Sequence, residues 1–320
     1  MDEMSNENKQ IDLDENALYL EYTKGVDPIR AGTIKSIPFK SFPSSIHESG
    51  KGGLYPLDIS NELGVTGPAT SPGLCANFIR LLKNDNIKTN FNSSSELFYV
   101  IKGGGYTIFG DIKIPWKKGD FVVMPAGDEV THYGQDEESS LYLIHDQPLL
   151  DYLGAKASIK KFKPALFTNE RSLKELEKAR NEGNAVNRSR ISVILVNKAM
   201  DQTLTVSHTM WAMLGVLPKG ANQLPHRHQS VALDLILDCK PGCYTLVGEK
   251  IDPEGNIINP TREEWQPNSA FITPPGLWHA HFNKSGEDVN FIPIQDAGLQ
   301  IYLRTLDIKF VLPNQPIPSV

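Results

Sequence analysis

The feature that most constrains this chain is that it repeats itself. Displaced by 150 positions, Phe121 falls on Phe271, Pro125 on Pro275 and Asp146 on Asp296. Leu149, Tyr152 and Leu153 fall on Leu299, Tyr302 and Leu303 without a gap. Upstream the displacement drops to 138, where Tyr106-Thr107 meets Tyr244-Thr245 and Gly110 meets Gly248. Further upstream it is 136, where Ala76, Leu81 and Lys83 meet Ala212, Leu217 and Lys219. The offset changes only at turn-like segments, and the extra residues of the second copy lie around Ile251–Thr261, which is rich in Pro, Gly and Asn. Such a pattern means two copies of one unit, each long enough to hold its own core.

The unit is built of strands. Leu97-Phe98-Tyr99-Val100-Ile101, Phe121-Val122-Val123-Met124, Leu141-Tyr142-Leu143-Ile144 and Leu233 to Leu237 are apolar runs of strand length, punctuated by 25 Gly and 22 Pro. One clear helix follows Thr168-Asn169 and runs from Ser172 to Arg180, with Gly183 as its stop. The expected organisation is a tail and arm over 1–69, with residues 1–15 unstructured and 16–69 packed on one barrel. A first barrel spans 70–153, a linker with the helix 154–205, and a second barrel 206–310. The net charge of −6, without a Lys/Arg cluster, argues against nucleic acid as a partner. No apolar run is long enough to span a membrane, and the acidic start is no secretory signal. Three cysteines, Cys75, Cys239 and Cys243, form no zinc-finger spacing, so a reducing, cytoplasmic location is expected.

Five of eight histidines lie in the second copy. His226-Arg227-His228 opens an apolar strand, and Trp278-His279-Ala280-His281 follows a Pro-Gly turn. On a strand, residues i and i+2 share a face, so each pair of imidazoles points one way. Two such strands in one barrel bring the rings together as a metal site, because neutral imidazole is a good ligand for first-row transition metals. At the same displacements the first copy has Asn90 and Asn92, then Glu129 and Thr131, and so is expected to hold no metal.

The pattern Gly220…His226-x-His228…Gly242, then Pro267…Pro274…His279…Asn283, resembles the two signature stretches of the cupin superfamily. The resemblance implies an all-β chain of two jelly-roll barrels, a bicupin, with a short helical linker. Within that superfamily, His-Arg-His, Tyr244-Thr245 and Thr273-Pro274-x-x-x-Trp278-His279-x-His281-x-Asn283 are similar to the gentisate 1,2-dioxygenase group and its salicylate and hydroxynaphthoate relatives. The stretch Asp146-x-Pro148…Leu153-Gly154 resembles the end of a barrel in that group. By that resemblance His226, His228 and His279 hold Fe(II), with His281 near the substrate. There are two departures. Cupins usually carry a Glu ligand where this chain has Ala232, and gentisate-type enzymes carry iron in the first barrel, whereas here the histidines are in the second.

The expected activity is a non-haem Fe(II) dioxygenase acting on an aromatic or other chelating carboxylic acid with O2. Mn(II), Ni(II), Cu(II) and Zn(II) are alternative metals. An isomerase, lyase or C–C cleaving enzyme on a keto acid, diketone or sugar is the alternative activity, and a non-catalytic storage bicupin the second. Partners are then a small-molecule substrate and a second copy of the chain in a homo-oligomer. His281 is the expected proton shuttle, since its ordinary pKa suits acid–base work near neutrality. Asp234 has the strand parity to orient a ligand imidazole, and Gln223 the position to reach the cavity mouth. Arg227 alternates away from the histidines. Arg304, Trp278, His132, His145 and His208 are read as structural or surface residues, and His47 in the arm is left unassigned.

Overall fold

The computed structural model describes residues 14–183, 190–312 and 318. Two compact units divide the chain after Ser36. In the first, a 3-10 turn at Asp14–Asn16 and a single helical turn at Tyr22–Gly25 carry almost wholly exposed side chains. The expectation of an unstructured start thus meets a short turn at Asp14–Asn16, while residues 1–13 lie outside the described residues.

The second unit holds two β-barrels. Its strands, in chain order, are β1 Lys40–Phe42, β2 Gly53–Pro56, β3 Cys75–Leu82, β4 Asn86–Thr89, β5 Ser95–Lys102, β6 Gly104–Phe109, β7 Ile112–Lys117, β8 Phe121–Pro125, β9 Val130–Gly134, β10 Glu138–His145 and β11 Ala165–Phe167. They continue as β12 Ile191–Leu195, β13 Trp211–Leu217, β14 Asn222–His228, β15 Ala232–Ile236, β16 Cys243–Gly248, β17 Thr261–Glu264, β18 Ala270–Thr273, β19 Trp278–Asn283, β20 Val289–Gln295 and β21 Ile308–Phe310. The first barrel pairs the sheet β11-β8-β5-β10-β3-β2 with β4-β9-β6-β7. The second pairs β1-β18-β15-β20-β13-β12 with β17-β16-β19-β14-β21. Every pairing is antiparallel, and closure into barrels leaves few open edges.

The arm is shared rather than packed on one barrel. β1 extends the second barrel's large sheet through Ser41 opposite Phe271, and β2 extends the first barrel's through Leu54 opposite Ile79. The linker behaves alike, with β11 on β8 and β12 on β13. Its helix, Asn169–Asn181, buries Leu176 and packs on β12 and β13.

The long apolar runs follow from where the large sheets sit. Leu97, Tyr99 and Ile101 on β5 join Leu233 and Leu235 on β15 in one core between the two large sheets. The alternate residues Phe98 and Val100 face the interior of the first barrel, with Leu141, Leu143 and Trp116. In the second barrel Ile236, Phe271, Phe291 and Trp265 face inward. A strand buried on both faces needs apolar residues at every position, so period-2 alternation disappears from its sequence.

Register corrects the repeat. The displacement of 150 holds for β10 against β20, where Leu141 and Phe291 both face inward. For β8/β18 and β9/β19 it is 149: Val122 and Phe271 face inward, and Thr107 opposes His132 as Thr245 opposes His281. The counterpart of His281 is therefore His132, not Thr131, and that of His279 is Val130, not Glu129. Since Thr89 opposes Val130 as His226 opposes His279, the first barrel has Thr89 and then Phe91 where Asn90 and Asn92 are expected. A register irregularity in β14 between Gln223 and His226 adds the residue that a gap-free comparison misplaces.

Candidate metal centre

β14 and β19 lie side by side in the smaller sheet of the second barrel. The irregularity in β14 falls around Pro225, which has no N–H to contribute to a regular ladder. It brings His226 directly opposite His279 and Gln223 opposite His281. The ring centroids of His226 and His279 are 4.0 Å apart and those of His228 and His279 4.9 Å. One ring nitrogen from each of His226, His228 and His279 lies within 4.8 Å of the others. Among the described residues this is the one group of three or more His, Cys, Asp or Glu so placed.

The hydrogen bonds decide which nitrogen each ring offers. Nδ1 of His226 reaches Leu224 O at 3.1 Å, Nδ1 of His279 reaches Leu277 O at 3.1 Å, and Nδ1 of His228 reaches Ser230 O at 2.8 Å. A carbonyl only accepts, so each Nδ1 carries the proton and each Nε2 presents a lone pair. Nε2 of His228 is buried and has no hydrogen-bond partner, the state of a donor atom awaiting an ion. Burial and the neighbouring rings hold His226 and His279 well below the usual histidine pKa, and burial takes His228 down to about 4. All three are neutral at pH 7, the form that binds metal. The residues therefore fit a first-row transition metal.

His281 is also fully buried, its centroid 5.8 Å from both His226 and His279, but its bonding differs. Its Nδ1 meets Thr245 Oγ1 at 2.8 Å, and that oxygen accepts Trp265 Nε1–H at 2.7 Å. Gln223 is buried, with Nε2 3.4 Å from His226 Nε2. Asp234 faces the interior as its parity requires, but among the described residues no imidazole is hydrogen-bonded to it. It accepts Thr273 Oγ1–H at 2.7 Å, and burial raises its pKa to about 6.

Sequence reasoning missed Arg190. It precedes β12 in the linker and reaches into the second barrel, Nη2 3.4 Å from His226 Nε2, with its guanidinium over the Phe291 ring. Burial lowers its pKa to about 10, so it stays cationic at neutrality. Among the described residues no carboxylate lies within ion-pair distance of it. No motif marks a lone Arg in a linker. Only the pairing of β12 on β13 places it.

The remaining residues sit away from the rings. Arg227 lies on the outer face against Trp278, which is fully buried there. Cys243 Sγ bonds Asn283 Oδ1, and Arg304 is exposed against Tyr302. His47 Nε2 meets Asn268 O at 3.0 Å. An open groove of about 890 Å³ on the first barrel and linker, lined in part by Phe109, Phe162 and Lys161, holds none of the imidazoles. Among the described residues no helix is long and apolar enough to cross a membrane.

No protein-family model and no curated protein matches the chain. Solved structures do. A point variant of salicylate 1,2-dioxygenase from Pseudoaminobacter salicylatoxidans, in complex with gentisate, matches with TM-score 0.71 at 13% identity over 93% of this chain and 92% of that one. A second variant of that enzyme, also with gentisate, gives 0.72 at 11% identity over 94% and 93%. A mutant of oxalate decarboxylase from Bacillus subtilis gives 0.52 at 16% identity over 80% and 76%. With its two antiparallel barrels and shared central core, the chain has the bicupin fold.

Proposed function

We propose that the chain is a metal-dependent dioxygenase of small aromatic or other chelating carboxylic acids, with His226, His228 and His279 as the ligands of Fe(II). The observation that carries the reading is a donor set of three neutral imidazoles, with the half-buried cationic Arg190 beside it. Three neutral ligands leave the ion its whole +2 charge, and Arg190 adds a further positive charge, so the site is built for an anion. Bound iron would supply open coordination positions for the substrate's oxygens and for dioxygen.

The chain's own residues do the rest. Arg190 binds the carboxylate and fixes its orientation. Phe291, Phe271 and Trp265 exclude water from the barrel. Gln223 sets its amide beside the ligand nitrogen of His226, where, with that nitrogen taken by the ion, its N–H would face the bound anion. Burial and the neighbouring Arg190 hold the His281 pKa well below the usual histidine value, so its ring is neutral and donates a hydrogen bond to the bound anion rather than shuttling a proton. Salicylate 1,2-dioxygenase shares the fold and has been captured with gentisate, which is consistent with this reading.

The test is elemental analysis of anaerobically purified protein, followed by oxygen-electrode assays with ortho-hydroxybenzoates. About one iron per chain with substrate-dependent oxygen uptake is the expected result. Iron without uptake would discard the dioxygenase and leave the isomerase or lyase reading. No metal after reconstitution would discard the metal centre itself.

A further inference from the structure

The two barrels share one buried relay that the metal does not explain. In the second barrel, Trp265 Nε1–H donates to Thr245 Oγ1, which meets His281 Nδ1 at 2.8 Å. In the first, Trp116 Nε1–H donates to Thr107 Oγ1 at 2.9 Å, which meets His132 Nδ1 at 2.8 Å. Register makes these the same positions. Thr107 faces His132 as Thr245 faces His281, and Trp116 faces Gly105 as the backbone of Trp265 bonds that of Cys243. Yet the first barrel has Thr89, Phe91 and Val130 in place of the three clustered histidines. A relay kept where no imidazole trio exists belongs to the barrel, not to the metal ligands.

One proton arrangement satisfies the threonine hydroxyl. An indole N–H only donates, so it takes one lone pair of the threonine oxygen. Thr245 and Thr107 are fully buried, and no other acceptor for either hydroxyl proton is found among the described residues. If the histidine Nδ1 also donated, that proton would be stranded. The hydroxyl must therefore donate to Nδ1, which leaves the histidine's proton on Nε2.

We propose that Trp265 and Thr245 are positioning residues that lock His281 in the Nε2–H tautomer, opposite to that of its three neighbours. The lock keeps His281 out of the metal's donor set and presents an N–H donor to an anion bound in the barrel. This rests on the proposed metal reading for its use, but not for its existence. Thr107 and Trp116 hold His132 in the same way in the first barrel, where its Nε2 is buried without a hydrogen-bond partner and its ring stands at 88° to Phe98.

The experiment is a long-range proton–nitrogen correlation spectrum of the metal-free full chain, labelled with 15N-histidine, at a pH where the rings are neutral. His→Gln variants assign the signals. Expected are Nδ1–H forms for His226, His228 and His279, and Nε2–H forms for His281 and His132. In Thr245→Val the Nε2–H signature of His281 is lost while that of His132 stays, and Thr245→Ser restores it. Thr107→Val does the converse. An Nδ1–H signal for His281 in the unsubstituted chain overturns the proposal, as does an unchanged tautomer in a folded Thr245→Val. Should that variant not fold, the unsubstituted spectrum and Thr107→Val still decide.

Zinc is then added. Shifts at the three ligands with the His281 Nε2–H retained support the lock, and loss of that proton to the ion overturns it. If zinc moves no ring, the metal reading fails while the tautomer pattern stands on its own.

Discussion

Replacing His228 by alanine should remove metal binding while leaving the barrels folded. A structural four-donor zinc site contributes about 10–16 kcal/mol, or about 3 kcal/mol per donor. Deleting one of three donors here therefore weakens binding about 100-fold or more. At a metal concentration 100 times the dissociation constant of the unsubstituted chain, bound metal stabilises the fold by about 2.7 kcal/mol. For the variant at the same concentration the gain falls to about 0.4 kcal/mol. In a chain of this size that separates a rise in Tm of about 5 °C from one of about 1 °C. Without metal the substitution costs the Nδ1–H bond to Ser230 O and the packing of a buried ring, about 1–3 kcal/mol, while Nε2 has no partner to lose and Ser230 Oγ keeps its bond to Gln295. The assay is thermal unfolding of both proteins, stripped and then titrated with Zn(II) or, without oxygen, Fe(II). A full rise in Tm for His228→Ala would refute the assignment. So would a variant that unfolds under conditions where the stripped unsubstituted chain stays folded, since the residue would then be holding up the barrel. Cys239→Ser, a thiol outside the cluster, should keep the whole rise.

Arg190→Met should raise KM about 10- to 100-fold with a smaller change in kcat, the cost of one charge-assisted bond to the substrate anion, read in steady-state assays against carboxylate substrates. Unchanged KM would remove Arg190 from the site. In the first barrel, burial raises the Glu96 pKa to about 7, so its ionised form is destabilising above that pH. Glu96→Gln should accordingly stabilise the chain by up to about 3 kcal/mol at pH 8 in urea unfolding, and the gain should shrink as the pH falls toward 4. For the metal-free protein the histidines act in the other direction. His228, with its pKa held near 4, stays neutral in the folded state while the unfolded chain takes up protons below about pH 6.5. Stability is thus intact above that pH and is lost as the pH falls toward 4. The loss should be smaller in His228→Ala, and equal losses in the two proteins would show that the ring is not buried as described.

Much of this was legible because repeats and strand parity are local properties of sequence. His-x-His on each of two strands of one barrel is enough to bring the imidazoles together, and the structure has them together. What sequence could not supply was register. A single added residue around Pro225 and another between β19 and β20 leave the repeat recognisable but move its correspondences by one. Each such step turns a facing residue into its neighbour. That is why His132 read as an unrelated histidine. Asp234 shows the limit of parity, which gave its face correctly but not the Thr273 hydroxyl that claims it. Arg190 was beyond reach altogether, since its place depends on a linker strand joining a sheet formed largely by residues that follow it.

Register also shows how the two interiors diverged. Phe98 opposes Val122 as Asp234 opposes Phe271, and Glu96 opposes Met124 as Ala232 opposes Thr273. The first barrel thus keeps a carboxylate, Glu96, at the place where the second has Ala232. It also has Phe91 where the second has His228. Glu96 is satisfied by Thr89, the residue at the position of His226, and aromatic rings fill the remaining space. The second barrel has the three imidazoles and lacks that carboxylate. Had both barrels kept both, each would hold a 3-His-1-carboxylate site with about one unit less positive charge. Dividing the set leaves one barrel packed and hydrogen-bonded without an ion, and leaves the other with three neutral donors and no carboxylate among them, Asp234 being bonded to Thr273. Arg190 stands beside these donors, with the Asp234 carboxylate acting on its charge from within the barrel. On the proposed reading, a bound divalent ion would keep more of its charge here than in a 3-His-1-carboxylate site, which would favour an anionic ligand whatever its identity.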